Sequence, residues 1–220
     1  MPKTSILDKY QIRLLDAIAK NKFLKEKFYL TGGTALAEFY LRHRYSEDLD
    51  FFSEIEIDTL NLNVSLKKIK ESVGATKMDF QQSFNRNLIF FHASNKVIKT
   101  EFTYFPFPRI EKGVLARGIN VDSLIDIAVN KLFTIYQRTN SRDYIDLFFI
   151  CAKHSFKIQD LLKKAKAKFD WHIDPLQLGT RFMKAKEAKD YPRMIQKIAP
   201  ARWQKFFVQE ARKLKKDIIK

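Results

Sequence analysis

No stretch constrains the fold of this chain more than residues 28–52, which read FYLTGGTALAEFYLRHRYSEDLDFF. The apolar run Phe28, Tyr29, Leu30 fits a short buried strand. Thr31, Gly32, Gly33 and Thr34 follow, then Ala35, Leu36, Ala37 and Glu38, which are good helix formers. A strand, two glycines and a helix start make a resting place for a phosphate. Glycine lets a ligand come close to the backbone, and the N–H groups of a helix's first turn point outward at it. The chain returns through Arg44, Tyr45 and Ser46 into Asp48-Leu49-Asp50-Phe51-Phe52. Read as a strand, its period of two sets Asp48 and Asp50 on one face and Leu49 on the other, buried face.

Two carboxylates held side by side repel each other until a cation relieves them. An arginine would serve. Mg²⁺ serves better, because it takes one or two protein carboxylates together with phosphate oxygens. Each piece alone has an ordinary reading: a Gly-Gly pair is commonly a turn, and Asp-x-Asp a solvated strand end or a helix cap. Their order and separation carry the weight. GG-T-x-L, about a dozen residues, then D-x-D followed by aromatics resembles the polymerase-β-like nucleotidyltransferase superfamily. The fuller string is similar to the AbiEii/AbiGii toxin family within it, whose form runs GGTAL, a helix, HR-x-S-x-DLDFF, and later K-L-x-x-I-x-x-R-x-x-x-RD-x-x-DL.

Residues 131–147 match that later block at nearly every fixed position, departing at Thr134, where alanine is more usual. Lys131 and Arg138 lie seven apart, two turns along one helix face, so one anion could meet both. Asp143 and Asp146, three apart, share a face of the next helix. Residues 99–106 alternate like a strand, with Glu101 in an otherwise apolar stretch. Nucleotidyl transfer commonly uses two metal ions, and a third carboxylate on a neighbouring strand completes such a site and helps take the hydroxyl proton. Glu101 is the candidate, although related sequences more usually carry aspartate there. The plain alternatives are an exposed strand residue for Glu101, an Arg142–Asp146 helix pair, and a helix cap for Asp143.

By resemblance, Asp48, Asp50 and Glu101 hold Mg²⁺, and Gly32, Gly33, Thr34 and Ser46 hold the NTP. Lys131 meets its triphosphate, and Asp143 and Asp146 face the active site. The implied fold is α/β (α+β): a nucleotidyltransferase core with a mixed sheet over residues 1–115, then a helical, basic C-terminal domain over 116–220. The implied reaction transfers a nucleoside monophosphate from an NTP to an acceptor hydroxyl, with a tRNA 3′ end favoured. The implied role is the toxin of a toxin–antitoxin or phage-defence pair, with a cognate antitoxin as partner. Two rivals stand beside it: modification of a protein hydroxyl, and a non-catalytic RNA or nucleotide binder.

Composition narrows the setting. A 220-residue chain that is 45% hydrophobic, with 20 phenylalanines, can bury a large core. One cysteine, Cys151, excludes an internal disulfide and fits a reducing cytoplasm, and no apolar run is long enough to span a bilayer. The net charge is +16, of which residues 151–220 hold +12, from 19 Lys and Arg against 7 Asp and Glu. That excess suggests a polyanion partner, or else lysines solvating exposed helices. The pattern predicts helices at 5–20 and 59–71, strands at 78–84, 88–92 and 97–105, and helices at 122–137, 143–153, 158–169, 175–188 and 200–216. The aromatic runs at 148–149 and 203–207 read as core rather than as base-stacking platforms. His43 lies inside the motif, while His92, His154 and His172 lack metal-ligand spacing and read as structural.

Overall fold

The computed structural model describes residues 5–218, so the ends of the two expected domains, 1–4 and 219–220, lie outside the described residues. Helix α1 (Lys9–Lys20) starts later than its apolar pattern suggests, because Asp8 caps it. Asp8 Oδ1 accepts from the N–H groups of Tyr10 and Gln11, at 2.8 and 2.9 Å, while Gln11 Oε1 accepts from the Asp8 N–H at 3.0 Å. A short α2 (Lys22–Lys27), not anticipated, is opened by the Asn21 side chain accepting from the Leu24 N–H.

Strand β1 (Tyr29–Thr31) runs into α3 (Gly32–Ala35), which continues as a π-helical turn over Leu36–Leu41. Strand β2 (Leu49–Ser53) follows, then α4 (Thr59–Val73), capped by Asp58 and stopped by Gly74 at φ 80°. An antiparallel meander of β3 (Ala75–Ser83), β4 (Arg86–Ala93) and β5 (Lys96–Tyr104) comes next. The hairpin β6 (Val114–Ala116) and β7 (Ile119–Val121) closes the sheet-forming part. Three-residue strands leave no room for a period of two, so alternation did not reveal them, and the boundary expected after residue 115 falls inside β6.

The seven strands form one mixed sheet in the order β3-β4-β5-β2-β1-β7-β6, with β2 parallel to β5, β1 parallel to β7, and β1 antiparallel to β2. Five helices follow: α5 (Leu124–Gln137), α6 (Ser141–His154), α7 (Ile158–Phe169), α8 (Pro175–Met183) and α9 (Pro200–Ile218). The helix expected to reach residue 188 stops at Met183 and tightens into a 3₁₀ turn over Lys184–Lys186.

The chain divides into two compact units. The first holds the residues up to Tyr40, Ser46–Pro108 and Lys112–Ser123; the second holds Leu41–Tyr45, Arg109–Glu111 and everything from Leu124. The first is built on Leu14, Leu15, Ile18 and Leu30, with Phe51 stacked on Phe102 at 4.9 Å and Phe28 edge-on to the same ring. The second is built on Tyr144, Phe182, Trp203 and Phe207, with Phe207 edge-on to Tyr144 at 5.0 Å. Trp203, Phe207, Phe148 and Phe149 are all buried, as core residues should be.

Candidate active site

The sheet register brings the first group of residues together. Thr31 of β1 pairs with Asp50 of β2, and Asp50 pairs with Glu101 of β5, so these three side chains share one face. Leu49 and Phe51, alternating with Asp50, are buried on the other. Gly32 follows Thr31 at φ +71°, and a Cβ placed on it would lie 2.5 Å from Asp50 Oδ2. Only glycine tolerates both that backbone and that carboxylate. Asp48 precedes β2 rather than lying in it, and is held from two sides. The buried Thr34 hydroxyl donates to the Asp48 carbonyl oxygen, and Lys99 Nζ lies 2.9 Å from Asp48 Oδ2. The Thr34 hydroxyl, expected at a phosphate, thus fixes the backbone of a candidate ligand. Half-buried Ser46 offers its backbone: its carbonyl and that of Glu47 accept from Gln11 Nε2 at 3.2 and 2.9 Å, tying the loop before Asp48 to α1.

Glu101 is engaged at both oxygens. Arg86 Nε donates to Oε1 at 2.7 Å and Nη2 to Oε2 at 2.6 Å, while Thr103 Oγ1 donates to Oε1 at 2.6 Å. Burial raises the Glu101 pKa, but the bonds from Arg86 and Thr103 outweigh it and the net shift is downward. Among the described residues no three His, Cys, Asp or Glu side chains are grouped to hold a metal ion. Asp48 and Asp50 still fit Mg²⁺ by chemistry, since two carboxylates plus substrate oxygens are what that ion takes. Glu101 already accepts three hydrogen bonds from Arg86 and Thr103, so joining Asp48 and Asp50 at an ion would mean loosening that pair.

The second group lies within the helical unit and the segment Leu41–Tyr45 that belongs to it. Asp146 is fully buried, with its Oδ1 2.7 Å from His43 Nε2 and 2.6 Å from Arg44 Nε, and its Oδ2 2.8 Å from Arg44 Nη2 and 2.7 Å from Lys131 Nζ. Lys131 Nζ also lies 2.8 Å from Asp143 Oδ1, whose other oxygen makes a longer 3.5 Å contact to Arg138. Lys131 thus meets both Asp143 and Asp146, while Asp146 is shared with His43 and Arg44. The Arg142–Asp146 helix pair is replaced by Arg44–Asp146, with Arg142 exposed.

Burial raises the Asp146 pKa, yet Arg44 and Lys131 carry it well below the usual carboxylate range. Burial lowers Lys131, and Asp143 and Asp146 more than reverse that. Burial is the largest influence at His43 and, with Arg44 and Lys131 nearby, pushes its imidazole down despite the bond to Asp146. Two cations and two carboxylates balance.

Sequence reasoning missed three contributors. Asp122 is fully buried and accepts from Thr31 Oγ1 at 2.7 Å, fixing the residue before Gly32. Arg86 falls between the strands expected at 78–84 and 88–92, yet it opens β4. Lys168, grouped by sequence with the surface lysines of the basic region, is buried 2.6 Å from Asp126 Oδ1, whose oxygens also accept from the N–H groups of Ile110 and Glu111. Its position was legible after all: Ile158, Leu161, Ala165 and Lys168 all fall on the buried stripe of α7.

Comparison with known proteins agrees with this architecture. The family described as "Nucleotidyl transferase AbiEii toxin, Type IV TA system" matches residues 13–213. An uncharacterised protein of Aquifex aeolicus (strain VF5) is 32% identical over 146 residues, a match covering 64% of this chain and 66% of that protein, just under two thirds of its length. A putative nucleotidyltransferase from Helicobacter pylori shares the fold with a TM-score of 0.63 at 20% identity, over 95% of this chain and 93% of its own. MenT4, a nucleotidyltransferase toxin from Mycobacterium tuberculosis H37Rv, does so with a TM-score of 0.58 at 14% identity, over 94% and 83%.

Proposed function

Because the chain belongs to the AbiEii nucleotidyltransferase toxin family, we propose that it transfers a nucleoside monophosphate from an NTP to an acceptor hydroxyl, a tRNA 3′ end foremost, as a toxin checked by a cognate antitoxin. The observation that carries this reading is the packing of Asp50 against Gly32, one residue after the Thr31–Asp122 bond. It presses a carboxylate onto a glycine turn at the start of a helix, an arrangement of little use to a chain that merely folds. Asp48 and Asp50 would hold Mg²⁺, which when bound polarises phosphate oxygens and neutralises developing charge. Lys131 acts here as a positioning residue: it holds Asp143 and Asp146, and through Asp146 the His43-Arg44 segment that runs directly into the Asp48 loop. A tRNA acceptor is supported by the basic excess of residues 151–220. No helix among the described residues is long and apolar enough to cross a membrane.

The test is incubation of the protein with each α-labelled NTP and total tRNA, with and without Mg²⁺, beside Asp48→Asn and Asp50→Asn. Label should enter tRNA with one NTP preferred, only with the divalent ion and only in the wild type. Label entering protein instead would move the acceptor to a polypeptide hydroxyl. Full transfer by either asparagine variant would remove the metal assignment.

A further inference from the structure

On the opposite face of the sheet from Asp50 and Glu101 lies a cavity of about 360 Å³, within the first unit and walled by Glu56, Phe84, Asn85, Asn87 and Tyr104 among others. Its placement follows from register: Asn87 pairs with Phe102, whereas Glu101 pairs with Leu88, so a period of two turns Asn87 away from the carboxylate face. Asn87 is only 3% exposed. Its Nδ2 donates to the Phe102 carbonyl at 3.1 Å, which fixes the amide's orientation, and its Oδ1 is buried without a hydrogen-bond partner among the described residues. A buried acceptor left unmet is costly, and a donor entering the cavity would relieve it. Asn85 likewise spends its Nδ2 on the Tyr104 carbonyl, at 3.0 Å. Phe84, at the tip of the β3–β4 hairpin, is 98% exposed at φ +51°. A bulky residue there bears both a left-handed backbone and full exposure of an aromatic ring.

We infer that this cavity receives the guanidinium of an arginine from a partner polypeptide. Its walls carry Asn87, whose Oδ1 is the unmet acceptor, together with Asn85, the Glu56 carboxylate and two aromatic rings. A guanidinium is the complementary group, with five donors, no acceptor, and a flat face that stacks on aromatics. The local field suits it. Although the chain carries +16, residues 45–66 contain six carboxylates and no lysine or arginine. Of these, Glu56 lines the cavity, where its charge would oppose a phosphate. A polypeptide rather than a free small molecule is indicated by the exposed apolar side chains of the flanking segment, Ile55, Leu60 and Val64, the last two one turn apart on α4.

Nitrogen-15 NMR of the full chain tests this with Ac-Leu-Arg-Leu-NH₂, Ac-Leu-Lys-Leu-NH₂, Ac-Arg-NH₂, adenosine and cytidine as probes. The arginine tripeptide should give saturable shifts at the side-chain amides of Asn85 and Asn87. Binding should be about fivefold or more weaker for the lysine tripeptide, and again in Phe84→Ala and in Glu56→Gln, two exposed positions whose replacement leaves the core intact. Equal response to the lysine tripeptide, tighter binding of a nucleoside, or indifference to Phe84→Ala would each overturn the inference. Ac-Arg-NH₂ binding as tightly as the tripeptide would overturn the polypeptide partner, leaving a small-molecule site.

Discussion

Asp146→Asn exchanges one buried oxygen for an NH₂ group and removes one charge, and the network around it sets the cost. Arg44 and Lys131 remain with one carboxylate charge fewer beside them, and Arg44 is only 3% exposed. Removing one partner of a buried ion pair costs about 3–5 kcal/mol. That is a large part of the roughly 5–15 kcal/mol that holds a domain folded. At about 2–4 °C per kcal/mol for a chain of this size, the melting temperature should fall by about 6–20 °C. Asp143→Asn should cost less, about 1.5–3 kcal/mol, because Lys131 keeps Asp146 at 2.7 Å. Urea unfolding followed by circular dichroism reads both, with a lower midpoint and an unchanged slope expected for Asp146→Asn. A fully stable Asp146→Asn protein that has lost transferase activity would refute the argument and return this carboxylate to the chemistry.

Gly32→Ala should lose about 1–2 kcal/mol from its left-handed backbone, and NTP transfer should fall further than stability does, because the new Cβ displaces the Asp50 carboxylate; transfer at the wild-type rate would show that Asp50 need not lie there. Gln at exposed Lys163, Lys164 and Lys166 should flatten the salt dependence of tRNA binding by about 2 in slope, measured by filter binding between low and moderate salt. Lys168→Gln should instead lower stability, read from the unfolding midpoint, by about 3 kcal/mol, because it removes a buried cation from beside the Asp126 carboxylate. The imidazole of His43 has a folded pKa below its ordinary value of about 6.5, so the unfolded chain takes up the proton first; its contribution is whole above about pH 6.5 and is lost as pH falls through the folded value. His43→Gln should flatten stability across that acid limb, and an unchanged pH profile would assign the limb to other groups.

What the sequence made legible was local. Gly32 and Asp50 are close in the chain, and a strand period with a glycine turn was enough to bring them together, whereas Asp48 falls just before β2 and outside that period. The mixed sheet followed by helices was likewise readable, because β3, β4 and β5 are long enough to alternate. What escaped was non-local pairing. Nothing in residues 85–87 says that Arg86 will reach across to β5, because Asn-Arg-Asn carries the composition of a turn and the turn in fact sits one step earlier. Asp143 and Asp146 were placed on one helix face, yet the arginine that claims Asp146 lies 102 residues away. Lys168 escaped for another reason: a lysine is expected at the surface by type, and type was weighed above its place on the stripe.

The two ion pairs beside the candidate metal ligands differ in strength, and this bears on how a divalent ion would bind. Lys99 and Asp48 are each about 40% exposed, so their contact is worth no more than about 0–1 kcal/mol. A cation of higher charge, brought in with a triphosphate, would displace such a pair easily. Arg86 and Glu101 are joined by two parallel bonds onto a carboxylate whose side chain is only 11% exposed, and Thr103 adds a third. Bonds of that kind are shorter and stronger than neutral ones, and separating them leaves Glu101 charged and partly buried. Asp48 is therefore open to exchange, whereas Glu101 is held as a fixed charge pair beside it. Arg86 also feels the field of Asp50. It thereby offsets the repulsion between neighbouring Asp50 and Glu101, so that the sheet keeps both carboxylates on one face before any ion or nucleotide arrives.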